Sequence, residues 1–542
     1  MTRSGPTSTL PLASILLAAL CGACGSEGGS DADASTDTPG DGGADTDTTG
    51  DSDPRFDAFV EALRADLAAS TAYGVSAAVM EDGVVTFAQA FGSKDPDLAL
   101  PLTPGTLMQI GSTTKQMTAV ALLRKVEDGL VSLDDTLEET LPEMEFTKDA
   151  AWDDQITLRH LLSHQGGLVD WTLGDVSSDD AALASYLYGA FAEQAYLMSP
   201  PGAFWNYSNP NFALAGLVTE ALDTRPWPDI MRDDVFGPLG MPRTFARKTE
   251  VEADGDYALS YGLGLDDLTT GAVGPVSMDQ MPDPAGDRPA GFVWTTPTQM
   301  MAWARFIMDG DPDVLSDALR GEITTAQVDT LFGAGSMSYG YGMFVETGYY
   351  ALNGEWYEMP VWEHGGATMS FSHVFYILPD SRFAVAICSS AYEADFSRSL
   401  DAAITTLVDL PEPTAAPKYE IDPAQFDRHV GTYTDPWNVG DMVITRQGDT
   451  LLADMPAMAS YGYTVRPELE PLSSDIFYMY IDDTPYDITF IPLTAGGPSQ
   501  YARNRAFVTT RVPDAAPAAP TLPLASREDV ARLLRQARME PS

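Results

Sequence analysis

Apolar residues recur every three to four positions through "FDAFVEALRADLAA" (56–69), the spacing that gives a helix one buried stripe. The period then changes. "GVSAAVMEDGVVTFAQAFG" (74–92) holds two β-rich runs on either side of Asp82-Gly83. An Asp-Gly pair accepts the positive φ angles of a two-residue hairpin, so an antiparallel pair is predicted. "GSTTKQMTAVALLRKVEDGL" (111–130) returns to helical spacing and is apolar enough to be buried, with Gly129 as its stop. Another apolar helix is predicted to begin near Asn211, after the aromatic-rich loop of "PPGAFWNYSNPNFALAGLVTEAL" (200–222). "VWEHGGATMSFSHVFYILPDSRFAVAICSS" (361–390) reads as two strands around a Pro379-Asp380 turn, with His364-Gly365-Gly366 opening the first.

The pattern changes again past residue 411. "EPTAAPK" (412–418) reads as a linker, and from Tyr419 to about Arg511 the chain is a series of short β-rich runs with a hairpin signal at Gly448-Asp449. Residues 513–542 read as a Pro/Ala linker and a short amphipathic helix, "REDVARLLRQAR". At the other end, residues 1–24 combine Arg3, the apolar "LASILLAAL" and small residues. That is an export signal, too short to span a bilayer. The expected organisation is a signal peptide (1–23), a tether (24–54), a main body (55–411), a β-rich domain (412–512) and the terminal segment (513–542).

Composition narrows the picture. Residues 25–54 are rich in Gly, Ser, Thr, Asp and Pro and carry no Lys or Arg, so they bury too little apolar surface to offset chain entropy and read as a flexible acidic tether. The whole chain of 542 residues carries 30 basic and 79 acidic residues, a formal net charge of −49. Such a surface repels nucleic acid and anionic lipid, so neither is an expected partner. Of three cysteines, Cys21 and Cys24 lie in the leader. Cys388, alone in the body within an apolar strand-like run, reads as a packing thiol.

Three short patterns carry candidate chemistry. Ser112 and Lys115 are three residues apart at a helix start, so they share a face. The positive N-terminal end of a helix favours an anion there, and a buried lysine in such a place can shed its proton and serve as a base. Taken alone, a helix cap is the commoner meaning of a serine such as Ser112. No Gly-x-Ser-x-Gly elbow offers another nucleophile. Tyr207 and Asn209, two apart on a loop, can point into one cleft or simply form a turn. Gly365 and Gly366 allow a ligand to approach the backbone at a strand start. His160 and His164 in "ITLRHLLSHQGGLVDW" (156–171) are spaced like metal ligands, but the glutamate of a His-Glu-x-x-His site is missing. The reading taken there is a helix ending at Gly166-Gly167, with no metal.

Taken in order, Ser112-x-x-Lys115, Tyr207-x-Asn209 and His364-x-Gly366, with "GSTTKQMTA", "PPGAFWNYSNPNF", "YGYGMF" and "HGGATMSF" around them, resemble the serine β-lactamase and penicillin-binding-protein superfamily in its class C and esterase-like branch. The resemblance covers about residues 56–407. It implies an α+β fold, an antiparallel sheet flanked by helices with an all-helical subdomain. The β-rich tail resembles the small lipocalin-like barrels attached to many such hydrolases. "LCGAC" resembles a lipoprotein processing box, with Cys24 the lipidated residue and Cys21 where an aliphatic is usual. Plain cleavage and secretion is the alternative.

The resemblance assigns roles. Ser112 is the acylated nucleophile, Lys115 helps take its proton, and Tyr207 shares that proton and passes it on. Asn209 binds substrate and orients Lys115. His364 stands where many relatives have lysine, and Gly365 and Gly366 line the substrate strand. The backbone N–H groups of Ser112 and Ala367 form the oxyanion hole. Histidine is mostly neutral near pH 7, which makes carboxylate recognition less secure. Trp205, Tyr341 and Trp362 are candidates either for an acyl pocket or for the core. The implied protein is an exported, lipid-anchored serine hydrolase that needs no cofactor and acts on a small molecule or peptide. A D-alanyl-D-alanine carboxypeptidase or related peptidase, an esterase and a β-lactamase all fit, as does a non-catalytic penicillin-binding surface protein.

Overall fold

The computed structural model describes residues 53–97, 100–148, 152–170, 174–268 and 270–513, with Val530, Ala531 and Leu534 beyond them. The leader, Cys24, nearly all of the tether and most of the terminal helix lie outside the described residues. Among the described residues no helix is long and apolar enough to cross a membrane.

Helix α1 (Asp57–Ala69) leads into strands β1 (Gly74–Glu81) and β2 (Val84–Gly92). The predicted hairpin forms, with Asp82 at φ 50° and Gly83 at φ 79°. Helices follow: α2 (Thr114–Glu127), α3 (Leu158–Leu162), α4 (Asn209–Asp223) and α5 (Pro297–Asp309). The chain then returns to the sheet through β3 (Val328–Asp329), β4 (Met337–Tyr339), β5 (Phe344–Tyr350), β6 (Trp356–Glu363), β7 (Gly366–Ala367), β8 (Ser372–Leu378) and β9 (Phe383–Ser389). Helix α6 (Ser397–Leu407) closes this part. The sheet is antiparallel, in the order β2-β1-β9-β8-β6-β5-β4-β3, with β7 paired to β8.

The two central strands explain why their sequence is almost wholly apolar. Val75, Ala77 and Val79 of β1 pack with Val385 and Ile387 of β9 against Phe59 and Leu63 of α1 and Leu400 and Ile404 of α6. The alternate residues, Ala78, Met80, Ala384, Ala386 and Cys388, face the opposite side, where α2 and α5 supply Val120, Met300 and Met301. A strand covered on both faces loses its polar alternation. Cys388 is buried and its thiol is pushed far up by that burial, so it packs and does not react.

Two expectations shift. Helix α3 ends at Leu162 and not at the glycine pair, because His164 takes a left-handed conformation, φ 56°. His364 does not open a strand. It follows the end of β6, and the two strands around Pro379-Asp380 are β8 and β9.

The C-terminal strands are β10 (Gly431–Asp435), β11 (Gly440–Gln447), β12 (Thr450–Asp454), β13 (Glu470–Pro471), β14 (Ile476–Ile481), β15 (Thr484–Pro492), β16 (Ser499–Arg503) and β17 (Val508–Arg511). They form one sheet in the order β12-β11-β10-β17-β16-β15-β14-β13. Its two ends meet where Leu469 N donates to Leu451 O and Ala453 N to Pro467 O, so the sheet curls into a nearly closed barrel. The barrel packs on the helical part: Trp437 stacks on Tyr196 at 5.0 Å, and Leu472 and Ile476 join Trp205, Phe332 and Phe344 in one apolar cluster.

Candidate active site

A single 3₁₀ turn, Gly111–Thr113, carries Ser112 to the head of α2. The turn needs its glycine: Gly111 has φ 51°, and a Cβ there would lie 2.4 Å from Ala367 N. The same closeness sets β7 beside the nucleophile. Ser112 is 8% exposed and Lys115 is fully buried one helical turn on.

Ser112 Oγ accepts two hydrogen bonds, from Lys115 Nζ at 3.0 Å and from Tyr207 OH at 2.9 Å. Lys115 Nζ also donates to Asn209 Oδ1 at 2.7 Å and to Ala290 O at 2.6 Å. These three acceptors match the three N–H bonds of an ammonium. When one proton leaves, the nitrogen lone pair can face Ser112. Asn209 is the first residue of α4 and Ser208 its N-cap, two residues earlier than the sequence pattern suggests. Pro210 next to it takes the helix start well, since a proline there sacrifices no needed donor.

His364 departs from its expected role. Its side chain is buried, with Nδ1 donating to Gly365 O at 2.6 Å and Nε2 accepting from Tyr339 OH at 3.0 Å. Burial first, and then the nearby charge of Lys115, pushes it down to about 3. It is therefore a neutral brace beneath the strand and not a cation offered to substrate. The backbone it braces does reach the site: a Cβ on Gly366 would meet Ile110 O at 1.9 Å. Ala367 is half-buried beside Ser112.

His160 and His164 do not form a pair. His160 Nδ1 accepts from Thr157 N in a helix cap. His164 turns inward, accepts from Ser208 N at 3.2 Å and backs the Tyr207 ring at 4.1 Å. Burial chiefly, then the charge of Lys115, keeps it well below its ordinary range. Among the described residues no group of three or more His, Cys, Asp or Glu could hold a metal ion. The three aromatic candidates belong to the core. Trp205 lies in the cluster beneath the barrel, Tyr341 is buried and accepts from Arg159 Nη1 at 2.6 Å, and Trp362 packs against the main core.

Three groups escaped sequence reasoning. The Ala290 carbonyl accepts from Lys115 and lies two residues after Arg288, whose guanidinium pairs with Asp283 and Asp180 at 2.7 Å each. Asp170 Oδ1 accepts from Asn209 N at 2.8 Å and Asn209 Nδ2 at 3.2 Å. Arg505, from the barrel, pairs with Asp170 Oδ2 at 2.7 Å and stands 4.6 Å from the Tyr207 ring centroid. A signal existed for the last: in so acidic a chain, "YARNRAF" places two arginines two residues apart in a hairpin.

Comparison with known proteins shows the family and the fold. The Beta-lactamase family model matches residues 56–409. Penicillin-binding protein 4 of Amycolatopsis lactamdurans is 27% identical over 379 residues, 66% of this chain and 92% of that one. An unguisins hydrolase of Aspergillus campestris is 27% identical over 362 residues, 64% of each chain. Among solved structures, SurE superposes with a TM-score of 0.62 at 22% identity, over 84% of this chain and 99% of that one, which shows the shared fold. The chain spans 49% and 64% of the length of the first curated relatives it matches. It belongs to the Beta-lactamase family of serine hydrolases and penicillin-binding proteins.

Proposed function

We propose that this member of the Beta-lactamase family opens an amide or ester through an acyl-enzyme on Ser112, in the manner of a D-alanyl-D-alanine carboxypeptidase, a related peptidase or an esterase. One observation carries the reading: Ser112 Oγ is bonded at once to Lys115 Nζ at 3.0 Å and Tyr207 OH at 2.9 Å. A cap serine has no need of either.

The chemistry follows from those contacts. Ser112 Oγ attacks the carbonyl carbon as its proton passes to Lys115 or Tyr207, whichever is then deprotonated. The carbonyl oxygen becomes an anion between the N–H groups of Ser112 and Ala367, donors that typically contribute about 3 kcal/mol each. Tyr207 hands a proton to the leaving amine or alcohol. Water then gives a proton back to the Tyr207–Lys115 pair as its oxygen attacks the acyl carbon, and Ser112 is released with its own proton restored. His364 supplies no cation, which favours substrates with a neutral group at that position. The export-signal pattern of residues 1–24 supports a working protein outside the cytoplasm, tethered through Cys24 or, alternatively, secreted. Mass analysis of its membrane-fraction N-terminus decides between lipidation and plain cleavage.

Fluorophosphonate and fluorescent penicillin probes test the nucleophile. Label on the wild type that disappears in Ser112→Ala supports the reading. No label on either, or label that survives the substitution, overturns it. A panel of p-nitrophenyl esters, D-Ala peptides and nitrocefin then assigns the substrate. Turnover of nitrocefin alone replaces this reading with a β-lactamase.

A further inference from the structure

The tight turn joining β16 to β17 is built by the barrel itself. Asn504 N donates to Phe507 O at 2.9 Å, Asn504 Nδ2 to Asp487 O at 2.8 Å, and Ala506 N to Asn504 Oδ1 at 2.8 Å. The turn presents two buried arginines to the catalytic region. Arg503 donates to Trp205 O at 2.6 Å and Thr330 O at 3.2 Å, which anchors the barrel beside the loop that carries Tyr207. Arg505 does something different. It donates through Nε at 2.8 Å and pairs through Nη2 at 2.7 Å with Asp170 Oδ2. The other oxygen of that carboxylate holds Asn209, whose amide oxygen in turn receives Lys115.

We infer that Arg505 is a positioning residue for Ser112 acylation, so that the barrel completes the active site instead of merely adjoining it. This rests on the serine-hydrolase reading above. An amide side chain can face Lys115 with either end. The Asp170 carboxylate accepts only its NH₂ end, which turns the oxygen toward Lys115. Asp170 is 3% exposed, and a buried carboxylate left without a balancing partner is an uncompensated charge that perturbs its neighbours. Arg505 is that partner. Its charge also lies over the Tyr207 ring, where it favours negative charge on the phenol oxygen. The other titratable groups facing the cluster are His164, His364 and Tyr339, and burial holds each of them neutral.

Without Arg505, an unbalanced Asp170 would favour the ammonium form of Lys115, and Tyr207 would lose a neighbouring cation. Both changes oppose proton removal from Ser112. The effect therefore falls on acylation rate and its pH dependence, and not on initial binding.

The test is stopped-flow labelling of the full chain with a fluorophosphonate between pH 5 and pH 10, with intact fold checked by near-UV circular dichroism. In Arg505→Met the acylation rate at neutral pH is expected to fall roughly tenfold to a hundredfold with little change in the half-saturating probe concentration. The pH of half-maximal acylation is expected to rise by about one unit. Arg505→Lys restores part of the rate. Adding Asp170→Asn to Arg505→Met also recovers part of it, because the unbalanced anion is gone. Arg503→Met, which removes an anchor and not the relay, leaves the pH midpoint in place. A folded Arg505→Met with wild-type rate and pH profile overturns the inference while leaving the serine reading intact, and so does an equal pH shift in Arg503→Met. If Arg505→Met does not fold, the Lys variant and the double variant carry the same test. Absence of label on the wild type overturns both proposals.

Discussion

Gly366 and Ile110 are in backbone contact: a methyl group on Gly366 would sit 1.9 Å from the Ile110 carbonyl oxygen. The chain segment before the nucleophile and the strand that carries Ala367 are thus a single packed unit. Gly366→Ala must push them apart and move Ala367 N away from Ser112. The expected loss in probe acylation is roughly a hundredfold or more, with a lowered thermal midpoint. Wild-type acylation in a folded Gly366→Ala protein would remove Ala367 from the oxyanion site.

Lys115 and Tyr207 both reach Ser112 Oγ, and Lys115 also holds Asn209 and Ala290. Lys115→Met is therefore expected to cost more than Tyr207→Phe. General-base loss of this kind is worth on the order of a hundredfold to ten-thousandfold. Burst kinetics with a p-nitrophenyl ester give the ranking. The reverse order would make Tyr207 the principal proton acceptor.

His364 and His373 are both buried and both pushed from 6.5 down to about 3, chiefly by burial. Between those values the unfolded chain takes up protons that the folded chain refuses. Their contribution to stability is complete above 6.5 and is lost as pH falls towards 3. Each adds a slope of about 1.4 kcal/mol per pH unit. Glu220 acts in the opposite sense. Burial raises it from 4.5 to about 7, so its contribution is complete below 4.5 and is lost as pH rises through about 7. Urea melts across this range should show His373→Asn with a shallower acid limb than wild type. An unchanged limb would place the acid sensitivity elsewhere.

Cys388 lies in β9 with its thiol raised by burial. Alkylation mapped by mass spectrometry should leave it unmodified in native protein at pH 8 and modify it fully in denaturant. Modification of native protein would mean that β9 opens.

Local signals were readable wherever one residue dictates a backbone choice. Asp82-Gly83 announces its hairpin, Gly129 ends α2 at φ 69°, and Gly448 turns β11 into β12 at φ 64°. Ser112, Lys115, Tyr207 and Asn209 could be singled out because each lies in a short pattern. Asp170 and Arg505 could not be paired from sequence, since they stand 335 positions apart and meet only when the barrel docks. His364 shows the opposite difficulty. Its place in the chain suggested a substrate contact, whereas its ring is held between Tyr339, on strand β4, and the Gly365 carbonyl. The boundary of α3 was missed for a local reason, the left-handed turn at His164, which is uncommon for any residue other than glycine.

The neighbouring strands β1 and β9 also set a timetable. Gly74 N is bonded to Ser390 Oγ, 316 positions later in the chain. At ordinary ribosomal speeds of about 5–20 residues per second, the first hairpin waits roughly 15–60 s for its partner strand to be made. During that wait the apolar face later covered by β9 is an open template for wrong pairing. Yield from heterologous expression should therefore respond more to holdase supply and slower translation than to surface redesign.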